Sequence, residues 1–190
     1  MTERGLNGLS LRAVAARLSA SPGTLYNYFD NKQALLEAML ARPLRDIGRT
    51  RTRTAGWQSD LREVMISLHT AFSAYPAAVT LLNAGIAAQR MDHIREHLLG
   101  LLAEAGLAIP DRIRAQNMLV SLAVGDVIVH SAHTVQHRAA ELARRRALPS
   151  ELFPFLTEAA QANLEEPGSE TFLAGLDALL EAVAAMPNNR

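Results

Sequence analysis

The sequence predicts an all-α protein: an N-terminal helix-turn-helix head on a larger helical ligand-binding and dimerisation body. Three observations predict it. Apolar residues recur at spacings of three and four along most of the chain, alternating β-branched runs are missing, and Gly and Pro punctuate the periodic stretches. The pattern reads as helices over 11–18, 22–29, 31–48, 57–74, 78–87, 91–105, 111–138, 152–163 and 169–185, with a loop at 139–151 and a kink or a split at Pro43. The polar, β-branched run 49–56 is a poor helix and a plausible joint. It divides a DNA-binding unit, 1–48, from a body, 49–190.

Charge supports the same division. The net charge is +0, but residues 1–53 carry nine Arg/Lys against four Asp/Glu, which leaves the remainder acidic. A basic head on an acidic body suits a head that meets phosphate. There is no cysteine, so disulfides and thiolate metal sites are excluded. No apolar run approaches the roughly 20 residues of a membrane span, and the first residues lack the apolar core of a signal peptide. The expectation is a cytoplasmic protein with no membrane partner, no metal and no cofactor.

The head is built as follows. Ser10 can cap a helix whose Leu11, Val14, Ala15 and Leu18 fall on one stripe. Three residues later Ser21 caps a second helix, with Pro22 at its first position, where no amide hydrogen is needed. Leu25 and Phe29 point back into the core. Gly23, Thr24, Asn27 and Tyr28 face out, and Tyr26 lies between. Two short helices so joined lay the second in the major groove. Small Gly23 lets the backbone approach the bases, Thr24 can bond a base edge or phosphate, and Asn27 can pair with adenine. Tyrosine hydroxyls and helix-start amides hold phosphates, and Lys32 and Arg12 open helices within reach of the DNA backbone.

The segments Leu9-Ser10-Leu11-Arg12-x-Val14-Ala15-x-x-Leu18 and Ser21-Pro22-Gly23-Thr24-Leu25-Tyr26-x-Tyr28-Phe29-x-Asn31-Lys32-x-x-Leu35-Leu36 resemble the DNA-binding head of the TetR family of repressors. The resemblance implies that Ser10, Arg12, Thr24, Tyr26, Tyr28 and Lys32 occupy DNA-contacting positions. It also implies a homodimer on a double-stranded operator, released by a ligand that shifts the helix joining head and body. Two departures stand out. Of the family's preceding helix, residues 1–8 supply only the end, so that either the true start lies upstream or the head loses part of its core. Position 19, commonly a left-handed glycine, is serine here, at a cost of roughly 1 kcal/mol.

In the body, Trp57, Leu61, Met65, Leu68 and Phe72 form a stripe on 57–74, and Ile113, Asn117, Val120 and Val124 another on 111–138. The segment Phe-x-x-Gly-Leu-Asp-x-Leu-Leu at 172–180 resembles the family's closing helix, which implies a four-helix dimer interface through Phe172, Leu176, Leu180 and Val183. Met65, Leu68, His69, Phe72, Leu82, Asn83, Ile86, Met118, Ser121 and Val124 are candidates to line an apolar effector pocket with a few polar groups. Leu82 stands where tetracycline-responsive members place a metal-binding histidine. The expected effector is therefore hydrophobic or weakly polar rather than a magnesium–tetracycline complex.

Two histidine clusters offer rival chemistry. His93, Glu96 and His97 spell H-x-x-E-H, a zinc-hydrolase motif, on a stretch that otherwise reads as a solvated face. His130, His133 and His137 share a face that could bind metal, sense pH, or simply be polar. A helical ligand-binding dimer without DNA binding is the remaining alternative.

Overall fold

The computed structural model describes residues 10–42, 44, 45, 47, 56–76, 78, 79, 81, 85, 86, 88–131, 135–162 and 169–186. All regular structure among them is helical. In the head, α1 (Leu11–Arg17), α2 (Pro22–Tyr26) and α3 (Lys32–Ala41) are each opened by a side-chain cap. Ser10 Oγ accepts from the Ala13 amide at 3.1 Å, Ser21 Oγ from Thr24 at 3.2 Å, and Asn31 Oδ1 from Ala34 at 2.9 Å. Each cap satisfies an amide that the first turn would leave orphaned. Leu11, Ala15, Leu25 and Leu35 form the head core, with Val14 and Phe29 packed against it.

Three expectations about the head need correction. Leu18 is 65% exposed: the helix stops at Arg17, and Leu18 is its cap rather than part of the stripe. The second helix ends at Tyr26, three residues early, because the chain turns to reach the α3 cap. The third, expected over 31–48 with a kink or a split at Pro43, ends at Ala41, two residues before Pro43 in sequence, where proline's restriction on preceding residues favours a stop, and Leu44, Arg45 and Ile47 beyond it are not helical. Ser19 does adopt the left-handed conformation, at φ 53. The Ala20 amide donates to Ala15 O at 2.9 Å and the Ser19 amide to Ala16 O at 3.3 Å, a complete Schellman closure.

The body comprises α4 (Trp57–Ala74), α5 (Ala88–Glu104), α6 (Ile109–Ser131), α7 (Val135–Arg146), α8 (Pro154–Gln161) and α9 (Ser169–Ala184). Gly56, at φ 105, turns the chain into α4. Helix α6 packs against α4, α5 and α9, and α4 also touches α5 and α9. The expected α4 stripe forms: Leu61, Met65, Leu68 and Phe72 are fully buried and Trp57 is half-buried. Ala78, Val79 and Leu81 are helical and buried, but Gly85, at φ 76, and Ile86 form a turn, so the helix expected over 78–87 stops short of the end of that range and the one expected from 91 begins at Ala88. The Gln116 amide donates to the Arg95 carbonyl at 2.8 Å and joins α6 to α5.

The α6 stripe is rotated from expectation. Ala115, Leu119, Ala123 and Val127 are buried, whereas Ile113 and Ile128 are about half exposed and Asn117 faces out. Apolar residues surround this helix, so periodicity does not choose a face. The Arg-rich stretch expected as a loop is helical to Arg146. Its arginines and alanines are strong helix formers, and Arg144 and Arg145 both bond Glu141 one turn back. Helices α7 and α8 pack on each other, tied by Arg146 Nε donating to the Ala160 carbonyl at 2.9 Å.

The closing-helix stripe also differs. Phe172, Leu176, Leu180 and Val183 are buried inside the subunit rather than offered to a partner. The four fall on one face, and that face seals the core over α4 and α6. Gly175 permits the approach, since a Cβ there would meet Leu122 Cδ1 at 3.3 Å. Ala174, Ala178, Asp177, Glu181 and Ala182 are left outside.

Candidate DNA interface and body site

The outward side of the head collects most of the expected DNA-facing residues. Arg12, Gly23, Thr24, Tyr26, Asn27 and Tyr28 are exposed, Tyr28 by 76%. A Cβ at Gly23 would meet nothing nearer than Ser21 Oγ at 3.8 Å, so the helix tip is open on this side. Ser10 and Ser21 are exposed, but their hydroxyls are engaged as caps. Ser21 Oγ also pairs with Thr24 Oγ1 at 2.9 Å, which orients the threonine hydroxyl. Lys32 is half-buried at the start of α3. The caps thus fix the helix that carries Thr24 to Tyr26, while Leu25 anchors its other side in the head core.

The effector candidates divide. Met65, Leu68, His69 and Phe72 come together on the buried face of α4, and Val124 and Ile86 pack against the same core. Met118 and Ser121 do not join them: both are exposed, because α6 turns a different face inward. Leu82 and Asn83 lie outside the described residues.

At the centre of this region is a polar cluster. The His69 Nε2–Asp126 Oδ2 distance is 2.7 Å, with side chains 11% and 8% exposed. His130, half-buried, places Nδ1 3.2 Å from Asp126 Oδ1 and 2.9 Å from the Asp126 carbonyl. The His69 ring stacks on Phe172 of α9, centroids 3.9 Å apart and planes inclined by 7°. One imidazole therefore links α4, α6 and α9. A buried carboxylate needs such partners, because an unpaired one is costly away from water. Sequence reasoning singled out His69 and His130 but missed Asp126. Its signal was a lone acid continuing the register of Leu119 and Ala123, one turn before His130.

The zinc-type motif does not form a site. His93 and Glu96 are exposed and His97 half-buried on α5, and no group of three candidate ligands gathers among the described residues. His133 lies outside the described residues, as does the side chain of His137. No helix among the described residues is long and apolar enough to cross a membrane.

Comparison with known proteins agrees with this geometry. Residues 1–39 match the model of bacterial regulatory proteins of the tetR family, and residues 51–186 match the tetracyclin repressor-like C-terminal domain. The chain is 32% identical over 184 residues to tetracycline repressor protein class D of Escherichia coli, covering 95% of this chain and 82% of that protein. It is 41% identical over 58 residues, 30% of each chain, to the HTH-type transcriptional regulator BetI of Burkholderia pseudomallei (strain K96243). Among solved structures, one described as a possible TetR family transcriptional regulator from Streptomyces coelicolor A3(2) superposes with a TM-score of 0.76 at 24% identity, covering 97% of this chain and 93% of that one. Streptomyces coelicolor ActR in complex with actinorhodin gives 0.71 at 20% identity, with 96% and 90% covered. These two share the fold.

Proposed function

We propose that this chain, which belongs to the TetR family of bacterial regulatory proteins, represses transcription as a homodimer on a near-palindromic operator and is released by a small, largely apolar effector. Membership makes it a transcriptional regulator and not an enzyme. The carrying observation is the capped α2 with Gly23, Thr24, Asn27 and Tyr28 exposed on one side and Leu25 buried on the other. Gly23 and Thr24 approach base edges, Asn27 reads adenine, and Tyr26, Tyr28, Arg12 and Lys32 meet phosphate.

One head makes few contacts, so two heads about 34–36 Å apart read successive major grooves. With the α9 stripe used internally, the pairing face is the outer side of α6 and α9. It carries Ile113, Met118, Ile128 and Val129, all 41% exposed or more, beside the small Ala174 and Ala178. The effector enters the body among Met65, Leu68, Phe72, Val124 and Ile86, with the His69–Asp126 pair as its polar handle. Support for a ligand in a body of this fold comes from ActR, solved with actinorhodin. Effector and operator then oppose each other with equal coupling energy.

Selection of duplexes from a random pool tests the reading, repeated with Thr24→Ala and Tyr28→Ala. The wild type should enrich a near-palindrome; Thr24→Ala should lose about 1–3 kcal/mol of that preference, and Tyr28→Ala, a phosphate contact, should weaken binding to all duplexes alike. An enriched site that both variants bind unchanged would show that α2 does not read the DNA.

A further inference from the structure

Helix α3 is held to the body chiefly by apolar side chains. Leu36, Leu40, Leu44 and Ile47 are buried in the same cluster as α4, α5 and α6. Interdigitated apolar side chains keep the helix on the body and restrict its rotation and axial position, though without the sharp directionality of a hydrogen bond. Hydrogen bonds are directional and can fix both.

Arg90 supplies two of them. Half-buried in the first turn of α5, it donates from Nε to the Leu44 carbonyl at 3.0 Å and from Nη2 to the Arg45 carbonyl. Its planar guanidinium thus grips two consecutive carbonyls of the segment that leads out of α3. A lysine, a point donor on a flexible stem, cannot reproduce that fork. An open cleft of about 450 Å³ separates Glu37, Ala41 and Arg45 from Gly85, Ala88 and Gln89, and Arg90 borders it. The polar connection described across this gap is the Arg90 fork.

We propose that Arg90 is a positioning residue for operator binding: from the body, its fork on the Leu44 and Arg45 carbonyls sets the angle at which α3 carries the head. This rests on the DNA-binding reading above and assigns part of it to a residue far along the chain from the head. Specific binding needs both heads at the operator's spacing, whereas non-specific binding needs mainly positive charge near phosphate. Loss of the fork therefore separates the two.

The test uses the full chain and its Arg90→Lys and Arg90→Gln variants, with the duplex enriched by selection and a mixed-sequence duplex. Both variants should lose tenfold or more in affinity for the enriched duplex. Affinity for mixed-sequence DNA, and its salt dependence, should stay as in the wild type. Full operator affinity in Arg90→Lys would overturn the proposal, because charge alone would then suffice. Equal losses on both duplexes would overturn it as well, since the residue would be merely structural. Amide hydrogen exchange of the unbound protein gives a second reading. Exchange should quicken over 32–45 in Arg90→Gln and stay unchanged in α6, and uniform quickening contradicts the assignment. A wild type that prefers no duplex would refute the DNA-binding reading itself, and this proposal with it. Wild-type preference retained by the variants refutes the Arg90 assignment alone.

Discussion

Leu35 and Leu36 are consecutive on α3 and are buried in different hydrophobic cores. Leu35 belongs to the head cluster with Leu11, Ala15 and Leu25. Leu36 belongs to the body cluster with Leu61, Met65 and Leu98. Successive residues of a helix point about a quarter-turn apart, so one helix can close two cores at once. Helix α3 is thus a shared wall, and any movement of its body-facing side is carried into the head.

Truncating the two leucines should have separable consequences. Each Leu→Ala change removes a buried side chain at a cost of about 2–5 kcal/mol. Trp57, the single tryptophan, packs against the body core and reports on it. Leu36→Ala should lower the unfolding midpoint seen by Trp57 fluorescence. Leu35→Ala should abolish duplex binding with a much smaller shift in that signal. The same large shift in both would mean that the cores do not behave separately.

Asn27→Ala should relax base preference at one position of each half-site by about 1–3 kcal/mol and leave the others intact. Titrations against single-base variants of the selected duplex would read this directly. Uniform weakening across all positions would assign Asn27 to the phosphate backbone instead.

Ser19 holds a left-handed φ of 53 at the end of α1, where a side chain is disfavoured. Ser19→Gly keeps the Schellman hydrogen bonds and should stabilise the protein by up to about 1 kcal/mol. Denaturant titration followed by far-UV circular dichroism measures it. A lower midpoint in the glycine variant would contradict the strain.

Asp126→Ala should remove the shared acceptor of His69 and His130 and leave a nearly buried imidazole without its carboxylate. The expected loss is about 1–3 kcal/mol, with Asp126→Asn losing less because an amide oxygen can still accept. Thermal unfolding of both variants compares them, and equal stability of Asp126→Ala and wild type would deny the cluster a structural role.

Glu141 is held below its ordinary 4.5, down to about 2, chiefly by the hydrogen bond from Arg144. Partial burial opposes this, and Arg145 adds to the lowering. A depressed folded value means that the interaction favours the folded helix fully above the ordinary glutamate range. The contribution fades as pH falls from about 4.5 toward about 2. A carboxyl carbon titration by NMR should place the Glu141 midpoint near the lower figure, and Arg144→Gln should move it upward. A midpoint at 4.5 in the wild type would exclude the pairing.

The head was legible because its signals are local. Ser10 and Ser21 cap the next few residues, Pro22 suits a first helical position, and Leu25 and Phe29 have a face of their own; the Asn31 cap, equally local, went unread because the expected third helix included it. The α4 stripe was equally plain, since polar residues flank it. Helix α6 was not, because Ile113, Met118, Ile128 and Val129 compete with Leu119, Ala123 and Val127 for the inward side. The 139–146 stretch was mistaken for a loop because its arginines masked the Glu141 pairing that supports a helix.

Capping, periodicity and turn chemistry act over a few residues, so the chain written as a string already specifies that it is helical and where its head begins. Which side of α6 turns inward, that Phe172 stacks on His69, and that Arg90 reaches the Leu44 carbonyl are settled by partners far away in sequence. Those contacts exist only once helices from distant parts of the chain compete for the same buried space, and no local pattern ranks the competitors.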